Sequence, residues 1–328
     1  MDTSSEQAVF SIQTPLRRIA LLAGGTSSER EVSLRSGANA AQALRSVGHQ
    51  VTELDTKDLS FITQLIELKP DVVFIALHGH DGEDGSVQGL LELLRIPYTG
   101  SGVLASALAM DKSQSKIHFK KAGLQTPEFV EVTQNMAGLK AAERFIERYG
   151  LPCVVKPVSE GSSIGVTVVR DANELTSALD DGFAICKTLL IERYISGTEI
   201  TVPVIGNEHL QALPVIEIIP VVSDFYDYEA KYADGGSDHI IPARLPAETL
   251  AHAQEQAMLA HRALGCAGVS RSDFIIDALG TAWIFETNTI PGMTATSLLP
   301  EAARHIGIEN GDLYTRIIEW GIAAHSRV

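Results

Sequence analysis

Two hydrophobic periods alternate along the first hundred residues of this chain. The run 18–23 (Arg-Ile-Ala-Leu-Leu-Ala) is almost wholly apolar, as a buried strand requires, and Gly24-Gly25 ends it before 29–47 takes up the pattern of an amphipathic helix. Strands at 50–54 and 71–77, with a helix at 58–68 between them, continue the alternation expected of a parallel α/β sheet, and a first domain is expected to end near residue 101. Helices at 102–109 and 112–122 lead into strands near 129 and at 153–156. A Gly/Ser loop, a strand at 166–169 and a helix at 173–179 follow, the pattern of a small α+β domain. Strands dominate from 198 to about 219. An irregular stretch at 224–238, a long helix at 246–264, a hairpin and two closing helices complete the chain. Residues 1–15 form a polar leader expected to be disordered, and no internal repeat or low-complexity tract is present.

Composition narrows the picture. A chain of 328 residues with 45% hydrophobic content suits a soluble protein of two or three domains. No apolar run approaches the ~18 residues a bilayer span needs, and Met1 to Gln7 lacks the basic and apolar regions of a signal peptide, so the cytoplasm is the expected location. Cys153, Cys186 and Cys266 are too widely spaced for a CxxC pair or a zinc set and read as small core residues. The formal net charge of −15 disfavours nucleic acid and anionic membrane as partners. Any anionic nucleotide must therefore meet cations clustered locally.

The hairpin carries the most specific chemistry. Arg271-Ser272-Asp273 lies on its first strand and Glu286-Thr287-Asn288 on its second, and alternation puts Arg271 with Asp273 on one face and Glu286 with Asn288 on one face. A four-residue turn at 277–280 would pair Ile276 with Thr281 and set Arg271 opposite Glu286, gathering all four polar groups on one side. Three oxygen ligands beside a guanidinium suit Mg2+, which usually completes its shell with water and substrate phosphates.

Other segments add weaker signals. Lys156 stands at a strand end before Glu160-Gly161-Ser162-Ser163-Ile164-Gly165, a small-residue loop able to close over phosphates, although the chain lacks both GxxxxGK[ST] and GxGxxG. Lys112 and Lys231 are further candidate phosphate cations if folding brings them near Lys156. Glu192 and Glu199 flank a domain junction, where a carboxylate can accept hydrogen bonds from ribose hydroxyls. The run 78–85 (His-Gly-His-Asp-Gly-Glu-Asp-Gly) follows a strand end but breaks the alternating donors of an EF-hand, so a polar turn is expected there. Ser28 reads as a helix N-cap with Glu29 in the first turn.

Taken in order, 24–33 (Gly-Gly-Thr-Ser-Ser-Glu-Arg-Glu-Val-Ser), His78-Gly79, 82–85, 160–165, 226–232 (Tyr-Asp-Tyr-Glu-Ala-Lys-Tyr) and 288–294 (Asn-Thr-Ile-Pro-Gly-Met-Thr) closely resemble the D-alanine:D-alanine ligases, which are ATP-grasp enzymes. The resemblance runs from about Arg18 to the C-terminus. It implies a three-domain ATP-grasp architecture of α/β and α+β type: an N-terminal Rossmann-like domain with a parallel sheet over 1–101, a central lid domain over 102–196 and a C-terminal metal and catalytic domain over 197–328. It further implies ATP-dependent joining of two D-alanines through an acylphosphate, for peptidoglycan synthesis.

By the same resemblance, Lys112, Lys156 and Lys231 serve the ATP together with Glu160, Gly161, Ser162 and Ser163 of a lid, while Glu192, Arg193, Ile195 and Glu199 lie at the adenosine. Asp273, Glu286 and Asn288 would hold two Mg2+ ions, with Mn2+ an acceptable substitute. Glu29 would pair with the first substrate's ammonium in a hydrogen-bonded set with Ser162 and Tyr232, and His78 would lie nearby. Arg271 and the Gly292 N–H would stabilise the tetrahedral oxyanion, and Ser297 and Leu298 would receive the second carboxylate. The stretch 224–238 would close over the intermediate, and a homodimer is expected by analogy. Arg193 departs from relatives that often carry lysine beside the adenine. Tyr232 favours an amine nucleophile, since relatives that use D-lactate commonly replace it. The alternatives are a same-fold ligase taking D-lactate or D-serine second and a nucleotide-binding regulator without turnover.

Overall fold

The computed structural model of the chain describes residues 15–221 and 236–326. Its first sheet is parallel, with β1 (Arg18–Ala23) between β2 (Gln50–Asp55) and β3 (Val72–Ile75). β1 and β3 are almost continuously buried, the mark of a parallel sheet covered by helices. α1 (Arg30–Ser46) packs on β1, and the last helix, α10 (Asn310–His325), packs on α1 and β3. The C-terminal helix thus returns to the first sheet, where Tyr314 meets Phe74 edge-on at a centroid distance of 5.6 Å. α2 (Ser60–Leu68) and α3 (Ser86–Leu94) complete this part. The loops after β1 and β3, at 24–29 and 76–85, leave the carboxyl ends of their strands together, where open α/β sheets bind ligands.

The second sheet is antiparallel, in the order β4 (Phe129–Thr133), β7 (Thr188–Arg193), β5 (Cys153–Pro157), β6 (Thr167–Val169). α6 (Met136–Tyr149) and α7 (Leu175–Ile185) cover it and close a core around Val132, Phe145, Val155 and Ile191. The sequence reading leaves out α6, although Leu139, Ala142, Phe145, Ile146 and Tyr149 recur at helical spacing and turn to this core while Lys140, Glu143 and Arg144 lie on the other faces.

A third, antiparallel sheet runs β11 (Ser237–Ile240), β10 (Ile216–Pro220), β8 (Thr198–Gly206), β12 (Gly268–Ile276), β13 (Ala282–Asn288), with the short β9 (Gln211–Ala212) beside β8. α4 (Val103–Met110), α5 (Lys112–Lys121) and α8 (Ala247–Leu264) pack on it, and α8 approaches through Ala253, Ala257, Ala260 and Leu264. α9 (Leu298–His305) follows the hairpin. Cys153, Cys186 and Cys266 are free thiols, Cys153 buried and the others half-buried.

One buried base couples this core to pH. His261 on α8 sits against Ser270 of β12, with Nδ1 2.7 Å from Oγ, and burial, then the neighbouring Arg262, pulls its pKa from 6.5 to about 4. An unfolded histidine binds its proton near pH 6.5. Between that pH and about 4 the unfolded state therefore holds more protons, and stability present at neutral pH is lost on acidification, by about 3 kcal/mol at most from this residue. His261→Gln is expected to lose less stability than the parent between pH 7 and 4.5 in urea unfolding. An equal loss in both proteins would remove His261 from the acid response.

Candidate active site

The β12–β13 hairpin differs from the simplest register in two places. Ile276 pairs with Ala282 rather than Thr281, because the turn holds five residues, 277–281. Asp277 builds that turn, its Oδ1 accepting from the Leu279 and Thr281 amides and its Oδ2 from the Trp283 indole. A bulge then interrupts the pairing, which shifts from Phe274↔Ile284 to Asp273↔Glu286, so Arg271 lies opposite Asn288 instead of Glu286. Either one-residue change alone would turn Glu286 to the other face, and the two together restore it. Phe274 and Ile284 consequently join the core under α8, while Phe285 and Glu286 both line the cleft.

The polar groups of this face are already partnered. Arg271 grips Asp273 with two parallel hydrogen bonds, Nε to Oδ1 at 3.0 Å and Nη2 to Oδ2 at 2.9 Å, and Thr201 on β8 donates to the same carboxylate. Asn288, with its amide oriented to suit its neighbours, donates to Glu83 Oε1 at 2.6 Å and accepts from Arg271 Nη2 at 3.3 Å. Lys112 Nζ lies 3.9 Å from Glu286 and donates to the Glu160 carbonyl. Lys112 opens α5, whose N-cap Asp111 accepts from the Ser113 and Gln114 amides. Lys156 at the end of β5 contacts Glu192 at 2.6 Å, and the buried Lys116 holds the other oxygen of Glu192 at 2.8 Å. Glu192 therefore faces two lysines while also lining the cleft.

A loop from the second sheet reaches across to the first. Ser162 and Ser163 both have positive φ, 50° and 59°, a strained backbone that directs the Ser162 hydroxyl onto the Glu29 carboxylate. Gly161 leaves room beside it for that carboxylate, because a Cβ there would lie 2.5 Å from Glu29 Oε2 and the carboxylate would have to shift. Glu29 itself is the N-cap of α1, in place of Ser28, with its amide bonded to Ser27 Oγ at 3.2 Å. The 78–85 run is only partly a polar turn. His80 and Asp81 are exposed and Asp84 is half-buried, but His78 and Glu83 are buried. His78 Nε2 lies 2.9 Å from Ser36 Oγ, and burial pulls its pKa to about 4, leaving a neutral imidazole at pH 7. Glu83 accepts from the Gly79 amide at 2.8 Å, and burial, then the nearby Glu29, raises its pKa.

Two adjoining cavities share this wall. Glu29, His78, Glu83, Arg271, Asn288, Gly292, Ser297 and Leu298 line one, with Ser297 at the N-cap of α9 and its Oγ accepting from the Thr294 amide. The other is more apolar, lined by Val154, Ile195, Trp283 and Phe285 together with Lys156, Ser163, Glu192, Arg193, Glu199 and Asp273. Lys112, Glu160 and Glu286 border both. Arg193 bonds Glu128 at 2.8 Å and stacks over Trp283 at 4.7 Å. Tyr232 and Lys231 lie outside the described residues.

Comparison with known proteins decides the family. Models for the "D-ala D-ala ligase" N-terminus and C-terminus match residues 56–101 and 118–319. The D-alanine–D-alanine ligase of Anaeromyxobacter dehalogenans (strain 2CP-C) is 48% identical over 303 residues, covering 92% of this chain and 96% of that one. This chain belongs to the D-alanine–D-alanine ligase family. Solved ligase structures agree: that from Bacillus anthracis complexed with ATP aligns at a TM-score of 0.80 and 33% identity, covering 95% of this chain and 99% of that one. The Coxiella burnetii ligase aligns at 0.82 and 27% identity, covering 96% of each. The folds of these ligases and of this chain therefore agree over nearly their whole length.

Several residues in or beside these cavities carried little signal in the sequence. Glu83, Lys116, Thr201, Ser36, Trp283 and Phe285 act by burial or by a long-range contact, and only Glu83 carried a local hint, as an acid in a glycine-rich turn after a strand. The loop contact with Glu29 yields a test. Gly161→Ala is expected to lower kcat at least tenfold while Mg-ATP binding changes little, since the added methyl displaces Ser162 from Glu29. Steady-state kinetics beside calorimetric nucleotide binding would check it, and wild-type kcat would exclude a required contact.

Proposed function

We propose that the two cavities form one reaction chamber, nucleotide on the apolar side and amino acids on the polar side, joined at the β12–β13 wall. The enzyme ligates two D-alanines to D-alanyl-D-alanine, consuming ATP and releasing ADP and phosphate, with the product serving peptidoglycan synthesis. The observation that supports this reading best is the convergence of Asp273, Glu286 and Asn288 with Lys112 and Arg271 where the two cavities meet.

On the nucleotide side, Ile195, Phe285 and the Arg193–Trp283 stack would enclose the adenine, with Glu199 at the ribose. Lys112, Lys156 and Lys231, with the backbone of 160–163, would take the phosphates. The donor set fits Mg2+: two carboxylates directly opposite each other and one carboxamide offer only hard oxygens. Asp273, Glu286 and Asn288 would hold two such ions, which when bound neutralise the charge of the transferring phosphoryl group. Mn2+ would serve in their place.

On the amino-acid side, the first D-alanine sets its ammonium at Glu29, within a hydrogen-bonded set that we extend from Ser162 to Tyr232. Its carboxylate attacks the γ-phosphorus, ADP leaves, and an acylphosphate remains. The second D-alanine, its carboxylate at Ser297 and the Leu298 amide, attacks the acyl carbon through its amine. Arg271 and the Gly292 N–H stabilise the resulting oxyanion, and phosphate departs as the carbonyl re-forms. Asp273 fixes the plane of the Arg271 guanidinium, so this donor needs no reorganisation during the step. His78, neutral at pH 7, is a hydrogen-bonding neighbour of the first substrate. No described helix is long and apolar enough to cross a membrane. A cytoplasmic homodimer is the form we propose.

Phosphate release from Mg-ATP with D-alanine, L-alanine or no amino acid, with dipeptide followed by mass spectrometry, tests the reaction. D-alanine-dependent release coupled to D-alanyl-D-alanine is expected, and its absence from folded, ATP-binding protein would overturn the reading. Glu286→Gln is expected to lower kcat by about 10²-fold or more, and wild-type turnover at ordinary Mg2+ would exclude the ligand role. Tyr232→Phe is expected to raise D-lactate use relative to D-alanine, measured in direct competition.

A further inference from the structure

Lys116 is a fully buried lysine that does not line the nucleotide cavity. It projects from α5 one turn after Lys112, donates to Thr126 Oγ1 at 2.9 Å and contacts Glu192 Oε2 at 2.8 Å, with the Phe129 ring 5.8 Å away. Glu192 Oε1 is taken by Lys156 at 2.6 Å. Two ammonium groups thus share one carboxylate inside the protein, and only Lys156 of the two lines the cavity.

A buried lysine is costly, and packing alone would be served as well by methionine. Its charge changes what Lys156 offers. With a carboxylate to itself, Lys156 would form a neutral buried pair, and an incoming phosphate would compete with the whole of Glu192. Lys116 holds the other oxygen, and burial pulls its pKa down to about 8 against the attraction of Glu192, so at neutral pH it stays mainly protonated. The group of three then carries one net positive charge beside the cavity, in a chain whose formal net charge is −15. Burial raises the Glu192 pKa, but the attraction of Lys116 and then Lys156 outweighs it, so the carboxyl stays ionised.

We propose that Lys116 is a positioning residue for nucleotide binding: it occupies half of Glu192, so that Lys156 keeps its place and presents uncompensated positive charge to the phosphates. The inference rests on the nucleotide reading of the cavity above.

A double-mutant cycle tests it, with calorimetric binding of a non-hydrolysable ATP analogue and Mg2+ to the full chain, and KM for ATP and D-alanine measured in parallel. Lys116→Met removes the net charge and is expected to weaken analogue binding about ten- to thirtyfold and raise KM for ATP, leaving KM for D-alanine unchanged. The double variant Lys116→Met/Glu192→Gln restores one net positive charge and is expected to regain most of that affinity, which a packing role would not produce. Equal affinity for Lys116→Met and wild type, or a double variant no tighter than Lys116→Met, would overturn the inference. Should Lys116→Met not fold, Glu192→Gln against the double variant reads the same charge step, and equal affinities there overturn it as well. Wild-type protein that binds no analogue would instead refute the nucleotide reading itself.

Discussion

Charge removed from water must be compensated where it lies, and the cleft is organised by that requirement. Asp273 is held by Arg271 and Thr201, Glu192 by two lysines and Glu29 by Ser162, while Glu83, bonded to backbone amides and Asn288, is pushed towards its neutral form by burial and then by Glu29. These partners come from the second and third sheets, from α5 and from loops, including the one that follows β3. Folding therefore assembles the cleft as a condition of burying its carboxylates, and their partners fix the orientation of the Arg271 guanidinium and the Lys156 ammonium. The net negative charge of the whole chain does not oppose an anionic substrate here, because the cations are concentrated at this wall.

The same compensation suits the chemistry. Phosphoryl transfer asks a protein for position and electrostatics more than for covalent participation. A guanidinium whose plane is set by two parallel hydrogen bonds, and lysines fixed by carboxylate and carbonyl oxygens, meet that demand with little motion at the moment of reaction. The loop carrying Ser162 adds a further condition. Its contact with Glu29 joins a residue lining the more polar cavity to a segment whose Glu160 borders both cavities.

Much of this was legible in the sequence because strand alternation is unforgiving. The shared face of Arg271, Asp273, Glu286 and Asn288 followed from period two alone. Their register did not, since turn length depends on how Asp277 caps its own loop and the bulge at Phe285 has no clear local signature. Helix α6 was legible from the spacing of Leu139, Ala142, Phe145, Ile146 and Tyr149 but left out, and α1 begins at Glu29 with no side-chain cap, Ser27 Oγ accepting only from the Glu29 amide. Glu192 was visible as an acid at a junction, but its partners Lys116 and Lys156 lie 76 and 36 positions away, and no local pattern distinguishes an ion pair from a ribose ligand.

Motif glycines explain why the family remained recognisable where single residues did not. Gly161 leaves room for the Glu29 carboxylate, and Gly79, at φ 71°, does the same from the opposite loop, where a Cβ would lie 2.8 Å from Glu29 Oε2. A side chain at either position would push away the group expected to receive the first substrate. The two glycines belong to segments some eighty residues apart, yet one carboxylate constrains both. Motifs that look independent along the chain are thus linked by a single buried charge, and the physical reason to read them together is that no one of them can change its backbone without disturbing the partner of another.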